Sequence, residues 1–197
     1  MPSKPTESDV GENQVQRLFF ALWPDDELRQ QIKRHSKVLL RHGGGRPVTH
    51  ENIHITLAFL GNVDAAQRAC VEQVAEGIQC PSFTLTLDQA GHWSRPRVLW
   101  IGCHEIPQAL SRLVVELNKG IRNCGLDLDS RPYQAHLTLM RKVNRPPADL
   151  SIQPLEWPVS RFVLVKSTTL SEGVKYDVVG EWPLLETLDS QEQEPKA

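Results

Sequence analysis

The sequence lacks several features that would assign it to common classes of protein. No apolar run approaches the ~18 residues of a membrane-spanning helix, and Met1 to Gln16 has no apolar core of a secretory signal. The net charge is only −2, from 22 Lys and Arg against 24 Asp and Glu. We therefore expect a cytoplasmic protein without a membrane span, and no long hold on a nucleic-acid backbone. A local basic patch remains compatible with binding one or two phosphates.

Cysteine is also scarce. The four cysteines (Cys70, Cys80, Cys103 and Cys124) form no C-x-x-C pair, and no His/Cys cluster has the spacing of a structural zinc site. A disulfide framework is not expected in such a chain. We predict that all four cysteines are reduced and mostly buried as small hydrophobes.

The pattern of apolar residues predicts an α+β protein. Residues 17–186 are predicted to form a single domain, and the polar ends, 1–16 and 187–197, to be disordered. Apolar periodicity predicts helices over 24–42, 64–79 and 107–123, the last stopped by Gly125. Strands are predicted over 18–23, 53–60, 83–87, 98–101, 136–140, 161–170 and 176–182. Neighbouring strand pairs, including a hairpin formed by 83–87 and 98–101, favour antiparallel sheets.

One four-residue string, H-x-T-L, occurs twice, as His54 to Leu57 and as His136 to Leu139. Two chance matches are expected with a probability on the order of one in a thousand. Arg46-Pro47 precedes the first copy and Arg131-Pro132 the second. The repeat therefore predicts a duplicated half or two pseudo-symmetric lobes.

Strand geometry gives each repeat a polar face. Side chains alternate across a strand, so His54 and Thr56 point to one side, and His136 and Thr138 do the same. Two imidazoles at one cleft suit general acid–base chemistry, because one ring can accept a proton while the other donates one. Hydrolysis of a phosphodiester needs such a pair, and threonine hydroxyls can hold the phosphoryl oxygens. No metal is required.

A metal site is the competing interpretation of the histidines. His50 lies four residues before His54, which imitates the spacing of zinc ligands on a helix. Glu51-Asn52 and the strand that follows favour a loop instead, and we predict no metal site. A single H-x-T string in a strand is more often a histidine without a task, so the functional interpretation depends on the duplication.

The two strings, H-I-T-L-A-F-L-G from His54 and H-L-T-L-M-R from His136, resemble the paired motifs of the two-histidine (2H) phosphoesterase superfamily. The flanking segments are similar to its RNA 2′,3′-cyclic phosphodiesterase branch, also called LigT-like or 2′-5′ RNA ligases. They include Phe19 to Pro24, Leu99 to Gly102 and Leu170 to Gly173. The resemblance covers roughly residues 17 to 185.

The resemblance implies a bilobal fold with an antiparallel sheet in each lobe and the active site in the groove between them. It implies metal-free hydrolysis of RNA 2′,3′-cyclic phosphate ends to 2′-phosphomonoesters, without a cofactor. His54 would be the proton donor and His136 the proton acceptor, although the residues alone leave this order open. Thr56 and Thr138 would bind phosphate.

Three further residues are candidate substrate contacts. Arg141 lies five residues after His136, an odd offset that requires a strand end or a bulge if it is to share the histidine's face; the resemblance favours it as a phosphate ligand. Phe59 has the same offset from His54, and either stacks on a base or belongs to the core. Tyr133 stands where relatives often carry an aromatic residue and would line the nucleoside pocket.

Two alternatives share the same groove. One is 2′-5′ ligation of RNA such as tRNA halves, and the other is a non-catalytic module that binds nucleotides or RNA ends. The expected partner in every case is an RNA or oligonucleotide end, and the chain is expected to act as a monomer without a protein partner.

Overall fold

A computed structural model describes residues 15–42, 44–171 and 173–186. The predicted tails therefore lie almost entirely outside the described residues, and their disorder stays a prediction. Within the described part of the chain, no helix is long and apolar enough to cross a membrane.

Ten strands and four helices follow one another along the part of the chain that the structure describes. The strands are β1 (Gln16–Leu22), β2 (Arg46–Pro47), β3 (Ile55–Val63), β4 (Phe83–Leu87), β5 (Gln89–Trp93), β6 (Val98–Gly102), β7 (His136–Arg141), β8 (Leu155–Val159), β9 (Arg161–Leu170) and β10 (Gly173–Pro183). The helices are α1 (Asp26–His35), α2 (Lys37–His42), α3 (Ala65–Glu76) and α4 (Gln108–Asn123), with a short 3-10 turn at His50–Asn52.

The strands build one large antiparallel sheet. Its order is β10-β9-β1-β3-β7-β6-β5, with β2 also paired to β7, and β4 and β8 form a separate two-stranded sheet. The predicted α+β class with antiparallel sheets is confirmed. The two halves of the large sheet, β10-β9-β1-β3 and β7-β6-β5, are hydrogen-bonded to each other where β3 meets β7, at the single pair Ile55↔Leu137.

The helices cover one face of this sheet. The main core contains the buried faces of α1, α3 and α4 together with alternate strand residues such as Phe20, Ile55 and Leu137. A small second cluster, Phe19, Ala21, Val163 and Val165, lies on the other face. We call this other side the groove face.

The first predicted helix is divided into two. Asp25 caps α1 by accepting a hydrogen bond from the Leu28 amide (2.8 Å), and Asp26 and Glu27 complement the helix dipole. At Ser36 the hydroxyl donates to the Ile32 carbonyl (2.7 Å), which satisfies that carbonyl locally. The backbone leaves helical geometry at Ser36, where φ is −89° and ψ is 2°, so the expectation of one continuous helix to residue 42 was wrong.

The other two helices have clear end signals. Asp64 and Gln67 form a reciprocal capping box at the start of α3. Gly125 adopts a positive φ of 76° directly after α4, which confirms the predicted stop.

The predicted hairpin between residues 83–87 and 98–101 was wrong. The hairpin partner of β6 is β5, and Trp93 pairs with Val98 across the turn that contains Arg95 and Pro96. β4 pairs instead with β8, which is distant in sequence. The alternation in β4 is real, but its partner could not be read from neighbouring segments because the short strand β5 contains Gly91 and His92 and has little apolar signal.

The cysteine prediction was half right. Cys80 and Cys103 are free and buried, but Cys70 and Cys124 form a disulfide between α3 and the end of α4. The two helices approach closely at Gly120, where a side-chain Cβ would lie 2.3 Å from Cγ1 of Val74. Val74 follows Cys70 by one helical turn and Gly120 precedes Cys124 by one, so the close approach also brings the two sulfur atoms together.

Candidate active site

The two repeats face each other across the junction of the sheet halves. Ile55 pairs with Leu137 in antiparallel register. Because residues on either side of such a pair also lie opposite one another, this register sets His54 against Thr138, and His136 against Thr56. The four polar side chains share the groove face, since Ile55 and Leu137 point into the core beneath the helices.

A bulge at the end of each repeat resets the side-chain alternation. In β3, Thr56 pairs with Ala21 and Ala58 with Phe20, so Leu57 is the extra residue. In β7, Thr138 pairs with Trp100 and Met140 with Leu99, so Leu139 is extra. The last residue of each H-x-T-L string is therefore the bulged one.

The bulges bring the two residues at odd offset onto the groove face. Phe59 pairs with Phe19, and Arg141 pairs with Val98, on the same side as the histidines. Arg141 is the last residue of its strand and is exposed. Phe59 is 60% exposed, so the alternative core role predicted for this residue was wrong.

His54 is enclosed by aromatic rings. Its ring centre lies 5.0 Å from Phe19, 5.5 Å from Trp23 and 5.3 Å from Tyr176. Trp23 is stacked on the imidazole with an angle of 22° between the planes. The Nδ1 atom of His54 is hydrogen-bonded to the Asn52 carbonyl at 2.7 Å.

His136 has the same backbone tether and a different neighbour. Its Nδ1 is 2.8 Å from the Gln134 carbonyl, which also lies two residues earlier. Trp93 packs edge-on against the imidazole at 4.6 Å and contacts Trp100 at 5.3 Å. Gly91 leaves room for this arrangement, since a Cβ there would lie 2.2 Å from the Trp100 ring.

These tethers fix the tautomer of both histidines. A carbonyl only accepts, so Nδ1 of each ring carries the hydrogen and donates it. In a neutral ring the lone pair is then on Nε2.

The electrostatics of the groove favour neutral histidines before an anion binds. Burial lowers the pKa of His54 to about 4, against a smaller upward effect of its bond to Asn52, and the positive charge of Arg141 lowers it further. Burial, followed by Arg141, also lowers the pKa of His136 from its ordinary value. A negatively charged ligand would oppose these effects and favour protonation of one ring.

Tyr133 lies in the segment that leads into β7 and is only partly exposed. Its ring packs against the main core, and burial near Cys103 raises the pKa of its hydroxyl. It does not join the shared face of the two strands in the way that Phe59 and Arg141 do.

Sequence reasoning missed several residues around the histidines. The backbone carbonyl groups of residues 52 and 134 hold the two histidines, and a backbone group cannot be recognised from the type of side chain. Both residues stand two positions before a repeat. Trp23 follows β1, Trp93 ends β5 and Tyr176 lies in β10, and only their aromatic character near a strand end marked them. The groove is thus built by neighbouring strands as well as by the repeats.

A separate cavity of about 460 Å³ lies on the helical side of the sheet. It is lined by Lys33, Lys37 and Arg41 of α1 and α2 and by Leu139. It does not contain the histidines. Among the residues that the structure describes, no three His, Cys, Asp or Glu side chains are grouped so that they could hold a metal ion.

The arrangement can bind a compact anion and move two protons. Two Nε2 atoms, two hydroxyls and a guanidinium converge on one face, with aromatic rings on both sides. Neutral imidazole accepts a proton from water, imidazolium returns one to a leaving oxygen, and hydroxyl and guanidinium groups stabilise phosphoryl oxygens.

Known proteins share this fold over nearly the whole domain. An RNA 2′,3′-cyclic phosphodiesterase of Escherichia coli is 35% identical over 87% of this chain and 98% of the relative, and one of Thermotoga maritima is 30% identical over 84% and 94%. The structure of E. coli LigT complexed with 3′-AMP matches with a TM-score of 0.78 at 35% identity, covering 87% of this chain and 99% of LigT. A Thermus thermophilus protein, TT0787, matches with a TM-score of 0.70 at 26% identity, covering 85% of this chain and 97% of that protein. The family model of the 2′-5′ RNA ligase superfamily matches residues 24–169. With its repeats, fold and relatives in agreement, this chain belongs to the 2′-5′ RNA ligase superfamily.

Proposed function

We propose that this protein hydrolyses RNA ends that carry a 2′,3′-cyclic phosphate and leaves 2′-phosphomonoesters. The observation that carries the proposal is the antiparallel pair Ile55↔Leu137, which sets two histidines and two threonines around one point of the groove face. The relatives at 30–35% identity named RNA 2′,3′-cyclic phosphodiesterase support the same reaction.

In the proposed reaction His136 accepts a proton from water as the water oxygen attacks phosphorus. The bond between phosphorus and the 3′ oxygen breaks, and His54 gives that oxygen a proton. The products are a 3′-hydroxyl and a 2′-phosphate, and one water is consumed. A positioned acid and base of this kind each contribute about 10²- to 10⁴-fold to the rate.

The low pKa of His54 sets a condition on this assignment. With a pKa of about 4, the ring is mostly neutral at neutral pH while the groove is empty. The phosphodiester's negative charge must therefore raise this pKa when the substrate binds. The pH dependence of kcat reports the histidines in the complex and that of kcat/KM reports them in the free enzyme, so the condition is measurable.

The remaining groove residues are proposed to position the substrate. Thr56 and Thr138 donate hydrogen bonds to the non-bridging oxygens, and Arg141 neutralises their charge. Phe59 stacks on the base, whereas Tyr133, whose ring packs against the main core, is assigned no contact with the substrate. No metal or cofactor takes part in the proposed reaction, so EDTA should leave the rate unchanged.

Mass analysis of the products tests the function directly. A short RNA ending in a 2′,3′-cyclic phosphate should gain the mass of one water, and the product should not be dephosphorylated by an enzyme specific for 3′-phosphates. No mass change, with the substrate bound tightly for hours, would instead identify a non-catalytic binding module.

Ligation is the second candidate, because the family model that matches residues 24–169 is named for 2′-5′ RNA ligases. Ligation uses the same groove and the same roles: His136 accepts the proton of the 5′-hydroxyl as its oxygen attacks phosphorus, the bond to the 3′ oxygen breaks, and His54 protonates that oxygen. Incubation of a cyclic-phosphate end with a 5′-hydroxyl RNA would produce a longer 2′-5′-linked product. We further propose that the protein acts as a cytoplasmic monomer, which sedimentation and cell fractionation would test.

A further inference from the structure

Three segments distant in sequence meet where the groove leaves the end of β7: residues 44–47, 95–98 and 141–145. Arg141 pairs with Arg46 on one side and with Val98 on the other. Asn144 ties the segments together, since its Oδ1 accepts from Nη1 of Arg97 (3.2 Å) and its Nδ2 donates to the Gly44 carbonyl (3.2 Å).

This junction is strongly positive. It holds six cations and no acidic residue, in a chain whose net charge is −2. The cations are all exposed: Arg46, Arg95, Arg97, Arg141, Lys142 and Arg145. Within the described ranges none of the six forms an ion pair. We call this set the basic rim.

The arrangement of the cations in the basic rim favours the binding of an anion. Arg46 and Arg141 are directly opposite in an antiparallel ladder, on the groove face, and like charges in that relation repel. Neutral polar side chains at these positions would avoid this repulsion. A polyanion bound across the rim would attract both arginines and so offset the repulsion between them.

An aromatic surface connects the rim to the catalytic groove. Trp93 pairs with Val98 at the edge of the rim, and its ring packs at 4.6 Å against His136. Cations that follow a backbone, together with an aromatic ring on which a base stacks, are the usual elements of a site for single-stranded nucleic acid.

We propose that the basic rim binds the phosphodiester backbone of the single-stranded RNA that leads to the cyclic end. This inference rests on the proposed function and names its substrate class: oligonucleotides rather than cyclic mononucleotides. The mononucleotide occupies only the histidine groove, whereas the preceding phosphates of an oligonucleotide extend over the rim.

The test compares two triple variants of equal charge. The rim variant is Arg97→Asn, Lys142→Asn and Arg145→Gln; Asn is used at positions 97 and 142 because their φ values are 65° and 57°, which Asn tolerates. The control variant, Lys33→Gln, Lys37→Gln and Arg41→Gln, removes three cations from the helical side of the sheet. Thermal melting verifies that both remain folded.

Two substrates are measured at about 0.15 M salt: a 2′,3′-cyclic mononucleotide and a six-nucleotide RNA with the same end. The rim variant should lose about 10-fold or more in kcat/KM for the RNA and less than about two-fold for the mononucleotide. The control variant should match the wild type on both. The inference is overturned if the ratio of kcat/KM for the RNA to kcat/KM for the mononucleotide is the same in the rim variant as in the wild type. It is also overturned if the control variant loses as much kcat/KM for the RNA as the rim variant does.

Binding separates failure of the rim from failure of the proposed function. The fluorescence anisotropy of the labelled RNA gives a dissociation constant whether or not it is hydrolysed. Loss of three phosphate contacts should lower the slope of log affinity against log salt by about 2. If wild type and rim variant show the same salt dependence of RNA affinity, the basic rim does not bind the RNA backbone, even if hydrolysis is observed. If the triple variant unfolds, Arg145→Gln alone should lower the slope by about 0.7.

Discussion

The two motif strands have the same backbone plan and different surroundings. In both, a histidine is tethered by Nδ1 to the carbonyl two residues earlier, a threonine follows, and the leucine is bulged. Around His54 the sheet supplies three aromatic rings and, after the bulge, Phe59. Around His136 it supplies Trp93 and, after the bulge, Arg141. The shared features set the geometry of the proposed acid–base pair, and the differing ones make the groove asymmetric.

Because of this asymmetry, the two sides of the groove suit different parts of a substrate. The β1–β3 side is aromatic and suits the flat faces of a nucleoside, while the β6–β7 side ends in positive charge and suits phosphates. A duplicated strand can therefore serve an asymmetric substrate once the residues beside each copy differ.

The largest expected effect comes from the histidines themselves. His54→Asn and His136→Asn should each lower kcat on a cyclic-phosphate RNA by about 10²- to 10⁴-fold, because each removes one partner of the proton transfer. The exposed His104→Asn is the matched control and should keep the wild-type rate. Steady-state kinetics with each variant gives the answer. Full activity in either groove variant would contradict the proposed acid–base pair.

The second effect concerns the covalent link between the helix after β3 and the helix after β6. Cys70→Ser with Cys124→Ser should lower the free energy of unfolding by roughly 2–4 kcal/mol, since the disulfide closes a loop with a sequence separation of 54. Chemical denaturation measures this loss. The value of kcat should be unchanged, and Cys103→Ser, which is no part of the link, serves as the comparison. A large loss of kcat in the double variant would place the link in the active-site geometry.

Substitutions of the two residues that follow the bulges should differ in the size of their effect on kcat/KM. Arg141→Gln removes a charge-assisted contact and should lower kcat/KM by about 10- to 100-fold. Phe59→Leu keeps an apolar side chain and should cost about 10-fold or less, mainly in KM, because stacking contributes about 1–3 kcal/mol per base at most. Steady-state kinetics on the same RNA compares the two variants. A larger effect of Phe59→Leu would reverse the assignment of the two sides.

The smallest effect is the pH dependence of stability. The pKa of His54 is about 4 in the folded protein and near 6.5 when unfolded, so the unfolded chain takes up the proton first as the pH falls. Stability from this group is complete above pH 6.5 and decreases down to pH 4, by about 2 kcal/mol after allowance for solvent screening. His54→Gln should flatten this part of the curve. Urea denaturation between about pH 4 and pH 7.5 measures the difference.

Local patterns predicted much of this molecule. The repeats located both motif strands, and periodicity located α3, α4, β9 and β10, because each element is long or strongly patterned. The odd offset between His136 and Arg141 was by itself enough to require a bulge or a strand end, and β7 has both.

What failed depended on contacts between distant segments. The partner of β4 is β8, and the partner of Cys70 is Cys124; neither pairing leaves a mark on local sequence. The aromatic enclosure of His54 is assembled from β1 and β10, and so follows from sheet order rather than from the repeat. The break at Ser36 is a single residue between α1 and α2, and the apolar pattern of this segment does not mark it.

A relative rotation of the two motif strands would have its centre at the pair Ile55↔Leu137, where their ladders meet. His54 and His136 are each one residue from it, about 3.4 Å along a strand, whereas Phe59 and Arg141 are four residues away, or about 14 Å. A relative rotation of about 10° would therefore displace the histidines by only ~0.6 Å and the outer residues by ~2.4 Å. Such a rotation would leave the two histidines nearly in register while it moved the ends of the groove.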